Sequence, residues 1–470
     1  MCKTRRIQAT ILIMSTLVLL ISLTGCDLTS NTMSYSIVSF DGNGAESGSS
    51  PGTIIQDSNL EITLPTTYGS FYREGNYISG WNTKADGSGT AYKKGETVEL
   101  TGTSLTLFAQ WTHVIDQIQA LLRHMLILKD NGDLFAGGSS RSYQLGFYSD
   151  YHNSTDPLLI MTDVKSVSSN DNFTLVLKND GSLFASGTNT YGAFGDGTTT
   201  YRRFFTRITD IDNIESVYSS TYGTMIKKKD DTLWAAGKNN VGQLGIGALA
   251  STSSFVELPN MTDVSSISMS DTHTVVVKND GTLWVTGSDS NGQLGLENSS
   301  ENKTSFVQVP GVTGVASVVT STNNTLILKT DGTVWATGQN SQGSLGFENQ
   351  ASSNTFQQVS GISDAISLTT NSNYSMIITG DGQLWVSGNN QNGQFGDETF
   401  TNSTTFKQTG ITDVLSVSAG STGAAIVKED GSLWVTGSAF SKYFNSGQEP
   451  GDLVNSKPIQ ISLSSLRMFL

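Results

Sequence analysis

Thr274-Val275-Val276-Val277-Lys278-Asn279-Asp280-Gly281-Thr282-Leu283-Trp284-Val285-Thr286-Gly287 is the stretch on which the fold turns. It runs from an apolar segment through a Lys-x-Asp-Gly turn to Leu-aromatic-x-x-Gly, and that order returns along the chain beyond residue 113. The aromatic position marks the copies: Phe135, Phe184, Trp234, Trp284, Trp335, Trp385 and Trp434, spaced 49, 50, 50, 51, 50 and 49 residues apart. A period of this length is the signature of a repeat architecture, in which each unit buries its apolar face against the next.

Each copy reads as four strands, which in the second are Val164 to Val167, Thr174 to Lys178, Ser182 to Ala185 and Phe205 to Ile208. The second strand is nearly all apolar, as in Thr325-Leu326-Ile327-Leu328, and such a strand is covered on both faces. Sheets stacked face to face around an axis bury strands in this way, so the sequence predicts an all-β fold whose main body is a seven-bladed β-propeller. Asp-Gly between the second and third strands predicts a tight hairpin, because glycine accepts positive φ freely. These turns lack the alternating oxygen ligands and final glutamate of a calcium loop, and no metal site is expected. Copy three carries Asp231 where glycine is expected.

After the aromatic comes Gly-x-Asn-x-x-Gly-Gln-Leu-Gly, clearest from Gly237 to Gly245. The copies beginning at Gly187, Gly287, Gly338 and Gly388 keep every glycine, whereas Tyr143 replaces the second glycine in the first copy, and Lys442 and Asn445 replace glycines in the seventh. Joined to the Asp-Gly turn and the Leu-Trp pair, this spacing resembles the regulator of chromosome condensation repeat, a seven-bladed propeller family, over roughly three quarters of the chain. The resemblance implies two kinds of activity: eukaryotic members are guanine-nucleotide exchange factors on chromatin, and a secreted bacterial relative inhibits β-lactamases through loops on one face. Lys457-Pro458-Ile459-Gln460-Ile461-Ser462 matches the fourth strand of earlier copies, and it is expected to pair with the N-terminal copy and close the ring.

The N-terminal residues have a different character. Lys3, Arg5 and Arg6 precede an apolar run from Ile11 to Leu23, and no acid occurs before Asp27, which is the layout of an export signal. The run ends in Leu23-Thr24-Gly25-Cys26, which resembles the lipobox of bacterial lipoproteins and implies lipidation at Cys26 after removal of residues 1–25. The mature chain is then expected outside the cytoplasm, anchored to the bacterial membrane. It would have no cysteine pair, since Cys2 is discarded with the signal. Of 27 basic side chains the signal takes three, leaving 24 against 41 acidic ones, a net charge of about −17. Nucleic acid needs a concentrated cationic face, so it is not an expected partner.

Residues 26–34 read as a tether and residues 35–112 as a small β-rich domain. Phe40-Asp41-Gly42-Asn43-Gly44, then Gly80-Trp81-Asn82-Thr83 with Asp86 to Tyr92, then Leu107-Phe108-Ala109-Gln110-Trp111, together look like the Listeria/Bacteroides repeat, or internalin B-repeat, a β-grasp-like module of bacterial surface proteins. That likeness implies a spacer or adhesion role, with Trp81 and Trp111 supplying most of the core. Gly48-Ser49-Ser50-Pro51-Gly52 has the spelling of a nucleophile elbow, but its proline and serine run predict an open loop rather than a strand-to-helix turn.

The propeller comprises residues 113–470, and its function is expected in loops. The segments after each Leu-Gly vary, and they leave the same point of every blade, so they gather on one face, where binding resides on rigid scaffolds. The first two contain Phe147, Tyr148, Tyr151, Tyr201 and Phe204, with Arg202 and Arg203 adding cations, the residue types of interface hot spots. These seven are the candidate binding residues for another extracytoplasmic protein or a cell-wall component. Histidines 113, 124, 152 and 273 are scattered, and neither metal-ligand spacing nor a phosphate-cradling loop is present. No catalytic residue, metal or small-molecule cofactor is expected. The competing classes are a glycosidase-like hydrolase with paired carboxylates in a central site, and nucleotide exchange, which export disfavours.

Overall fold

A computed structural model describes residues 35–57, 61–71, 76–93, 95–99, 104–113, 115–122, 124–148, 157–297, 301–348, 351–438, 456–461 and 467–468. Cys26, Tyr151 and the proposed signal and tether lie outside them. Among the described residues no helix is long and apolar enough to cross a membrane.

In the small domain, seven strands form: β1 (Tyr35–Asp41), β2 (Ile54–Asp57), β3 (Glu61–Thr63), β4 (Asn76–Asn82), β5 (Ala91–Tyr92), β6 (Thr97–Glu99) and β7 (Ser104–His113). Five of these make a sheet in the order β2-β1-β7-β4-β5, with β1 and β7 parallel, and β3 and β6 pair separately. Trp81 is fully buried against Phe40, Tyr68 and Phe71, with ring centroids 4.8 to 6.4 Å away. Trp111 packs at the margin of this core and donates its indole N–H to the Gly42 carbonyl at 2.8 Å. Ser50 sits in an exposed loop that leads into β2, a strand, so the elbow spelling has no elbow geometry behind it.

Beyond residue 114 lie seven blades with the first strand innermost, each built on four antiparallel strands, and the sheet of blade one gains a fifth from near the chain's end. Blade two illustrates them, with strands Val164–Ser169, Phe173–Lys178, Leu183–Gly187 and Arg202–Ile208. Alternation along the apolar second strand divides its side chains between two neighbours. Val176 joins a cluster with Leu126, Leu128 and Leu134 of blade one, whereas Leu175 and Leu177 join Ile214, Val217 and Ile226 of blade three. Analogous clusters fill every other interface between successive blades.

One of those clusters closes the ring, since Ile115, Ile118, Met125 and Ile127 of blade one pack on Ala425, Val427, Leu433 and Val435 of blade seven. Polar bonds between innermost strands run around the same circle. Gln117 exchanges bonds with the Val167 backbone at 2.8 and 3.1 Å, and Ser418 Oγ accepts from the Ala120 N–H at 2.9 Å across the seam. The expected closing strand needs correction. Ile459–Ile461 pairs antiparallel with Leu433–Val435 of its own blade, and only Arg467–Met468 pairs, in parallel, with Leu158 and Leu159 of blade one. Blade one begins with its own first strand at Ile115, and the fourth-strand segment Ile459–Ile461 completes blade seven.

The repeat aromatics are less deeply placed than a core position. Phe135 is buried, whereas Phe184 and the five tryptophans are half-buried, and all of these but Trp385, whose second strand ends in Thr379, wear a lid. The lysine ending the second strand lies over the ring, as with Lys228, Lys278 and Lys329 at 4.6 to 5.0 Å from the centroids of Trp234, Trp284 and Trp335. The indole N–H of Trp284 donates to Thr282 Oγ1 at 3.1 Å, and that hydroxyl donates to Asp280 Oδ1 at 2.6 Å. Hairpin, aromatic and lysine thus lock one another. Hydrogen bonds from nearby hydroxyls hold the Asp180, Asp230, Asp280, Asp331 and Asp381 carboxyls below the usual range, and Asp231 takes the left-handed backbone expected of a glycine, φ +69°.

Candidate protein-binding face

Because the chain enters each blade on its inner strand, the turn between strands one and two and the loop between strands three and four emerge on the same face. The loop is pinned at its base by the repeat asparagine. Asn189 Oδ1 accepts from the Phe194 N–H at 3.0 Å and its amide donates to the Thr198 carbonyl at 3.0 Å, and Asn239 and Asn390 repeat the arrangement. The second glycine of the motif lies against a neighbouring outer strand. A Cβ on Gly242 would stand 2.4 Å from the Lys303 carbonyl oxygen, and one on Gly292 2.6 Å from Asn354 Cα.

Blade one breaks this rule in an informative way. Tyr143 occupies the glycine position and still adopts φ +61°, a left-handed backbone that costs a side chain about 1 kcal/mol. Its carbonyl accepts from Ser186 Oγ at 2.6 Å, the bond that the glycine carbonyl of Gly242 accepts from Thr286. The backbone role is kept and a ring is added. That ring lies 5.6 Å from Tyr148 and stacks at 6.1 Å on Tyr201, with the Arg203 guanidinium 5.5 Å from Tyr143 and 5.8 Å from Tyr201. Arg203 Nη2 also donates to the Tyr201 hydroxyl at 3.1 Å.

The seven candidates therefore separate. Tyr148, Tyr201 and Phe204 are 57%, 48% and 69% exposed, and Arg203 is exposed beside them. Phe147 packs half-buried against the core between blades one and two. Arg202 is ion-paired to Asp196, lies over the Phe194 ring at 5.6 Å, and donates to the Thr206 and Arg207 carbonyls at 3.2 Å, so it braces the loop. Tyr151 lies outside the described residues.

A second group was not apparent from sequence order. Tyr191 of blade two and Tyr222 of blade three meet edge-on at 5.2 Å, and Lys238 lies 5.5 and 5.1 Å from their rings. The two rings come from a strand-three loop and a strand-one turn 31 positions apart. Only the shared face unites them.

Two of the histidines are buried in the propeller. His124 and His273 open the second strands of blades one and four, and complete burial pushes both down to about 3, so they are neutral. His273 is bonded on both nitrogens, to Ser270 Oγ at 2.9 Å and Thr325 Oγ1 at 2.8 Å. Among the described residues no three His, Cys, Asp or Glu side chains are grouped to hold a metal ion. This face offers rings, a guanidinium and hydroxyls.

Residues 164–193, 264–293 and 315–344 match the sequence pattern described as the regulator of chromosome condensation (RCC1) repeat. Those three stretches are similar to RCC1 repeats. The matched stretches span the first three strands of blades two, four and five and the start of the following loop. Among solved structures, human WBSCR16 is similar in fold, 18% identical with a TM-score of 0.59, over 71% of this chain and 90% of that one. Prp20p from Saccharomyces cerevisiae, described with its binding to Gsp1p and histones, is 15% identical with a TM-score of 0.62, over 72% and 88%. At these identities the likeness is one of fold. A 76-residue stretch is 40% identical to a protein of Evansella cellulosilytica described as a Gly-rich membrane protein, covering 16% of this chain and 8% of that protein. A second membrane protein of the same organism matches equally over 11% of its length, so the chain spans about a tenth of these curated relatives.

Proposed function

We propose that the chain is an exported bacterial lipoprotein, anchored through Cys26, whose RCC1-repeat propeller binds another extracytoplasmic protein or wall component through the loop face of blades one to three. The observation that carries this reading is the pairing of two tyrosine–cation clusters on one face: Tyr143, Tyr148, Tyr201 and Arg203, and Tyr191, Tyr222 and Lys238. Rigid aromatic rings lose little rotamer freedom on binding, and tyrosine and arginine dominate hot spots. The basic residues, apolar run and Leu-Thr-Gly-Cys of the N-terminus support export and anchoring. The small β domain, by its likeness to surface modules, serves as the spacer between lipid and propeller. Binding is the whole activity in this reading, and neither a cofactor nor a metal enters it.

The test is crosslinking and pull-down from intact envelopes with the full chain. Replacing Tyr148, Tyr151 and Tyr201 together by Ser should abolish capture of the proteins that the wild type retains. Capture that survives the triple substitution removes this face from consideration.

A further inference from the structure

Beyond residue 113 the arginines are Arg123, Arg141, Arg202, Arg203, Arg207 and Arg467. The first five fall within the sequence of blades one and two, and the sixth lies on the strand that pairs with blade one. Lysines follow another rule, recurring around the ring as lids on the repeat aromatics. Among the described residues of the propeller, the arginines of this acidic chain thus fall in one sector. Arg202 is already committed to Asp196. Arg203 is held by the Tyr143 and Tyr201 rings and the Tyr201 hydroxyl, and no carboxylate pairs with it among the described residues.

We propose, building on the binding face above, that this sector takes a segment of a partner protein in which a carboxylate is flanked by apolar side chains, with Arg203 receiving the carboxylate. A guanidinium presents five N–H donors in one plane, and Arg203 spends one on Tyr201. Its fork matches the two oxygens of a carboxylate, and rings beside it hold the plane in place. Tyr148, whose ring lies 5.6 Å from that of Tyr143, is exposed there as a seat for a flanking apolar group. The surplus of acids elsewhere on the chain repels an acidic segment from other landing places, which gives the complex one orientation. A polyphosphate chain reads a line of cations instead, and a single guanidinium set against two tyrosine rings does not supply one. Strand addition is disfavoured as well. The outer edge of blade two is capped by Arg202 on the Thr206 and Arg207 carbonyls and by Thr206 Oγ1 on the Phe204 carbonyl, so the segment docks through its side chains.

The experiment is selection of a displayed library of random peptides on the full chain, with the best synthetic peptide measured by fluorescence polarisation. Enriched peptides should carry Asp or Glu beside apolar residues. Affinity should fall at least about tenfold when the acid becomes Gln, and equally in Arg203→Gln and in Arg203→Lys, which keeps the charge but not the fork, at unchanged melting temperature. Enriched peptides without acids that still need Tyr201, tested with Tyr201→Ser, overturn this inference and leave the binding face standing. Peptides indifferent to both Arg203→Gln and Tyr201→Ser, or no enrichment over the Tyr201→Ser chain, overturn both. Inorganic polyphosphate that competes as well as the acidic peptide also overturns the carboxylate assignment.

Discussion

Blades four and five and blades one and two are built on one plan and finished differently. In blades four and five the motif glycines are intact, the loop cleft between them is lined by Asp289, Ser290, Asn291, Ser352 and Asn354, and polar bonding is directed inward. In blades one and two a tyrosine replaces a glycine at a cost in backbone strain, and rings and guanidinium groups crowd the rim. The stretches that match the repeat pattern lie in blades two, four and five, so of these four blades blade one, with Tyr143, is the one left unmatched. Departure from the repeat therefore locates what the scaffold does not need. Strain kept against the repeat rule is a pointer to use.

That contrast can be broken by mutation. The largest effect is expected for Trp284→Ala in blade four, which removes a half-buried ring, the perch of Lys278 and the partner of Thr282. It should cost about 2–4 kcal/mol in denaturant unfolding while partner capture by the folded protein stays at wild-type level. Loss of capture without loss of stability would mean that the undecorated blades also bind.

A smaller effect separates the two blades by pH. His124 and His273 are buried neutral, with pKa values near 3, whereas the unfolded chain protonates histidine near 6.5. The folded value is the lower one, so their contribution is complete above pH 6.5 and is lost as pH falls toward 3. The loss is about 1.4 kcal/mol per pH unit for each histidine. His273→Asn, which copies Asn324 at the same place in blade five, should remove its share of the slope between pH 7 and 5 in melting experiments. An unaltered slope would place the titration elsewhere.

The smallest expected change is also the sharpest for the comparison. Tyr143→Gly restores the repeat residue at φ +61°, so the melting temperature should stay level or rise by the relief of about 1 kcal/mol of strain, while capture weakens. A lower melting temperature would make Tyr143 a structural residue.

Sequence carried the blade count, the hairpins and Asp231 because each rests on local backbone needs repeated seven times. It could not separate Phe147 from Tyr148, since adjacent loop residues have no period to assign one inward and the other out. Arg202 and Arg203 differ for a similar reason: Asp196 reaches only the first, and that depends on how the loop folds back. Tyr143 reads as a flaw in a glycine pattern until its neighbours are seen, and Tyr191 and Tyr222 belong to separate repeats. The closing strand falls in a different sheet from the one expected because a match to the fourth-strand pattern does not say which sheet receives it.

The ring seam has a mechanical meaning. Among the described residues, blades one and seven meet through side chains and a two-residue parallel pairing, with no longer strand pairing across the joint. The molecule is a necklace fastened by a clasp. Tension entering from the N-terminal end arrives at Ile115, the strand that forms half of that clasp, before it reaches any other blade.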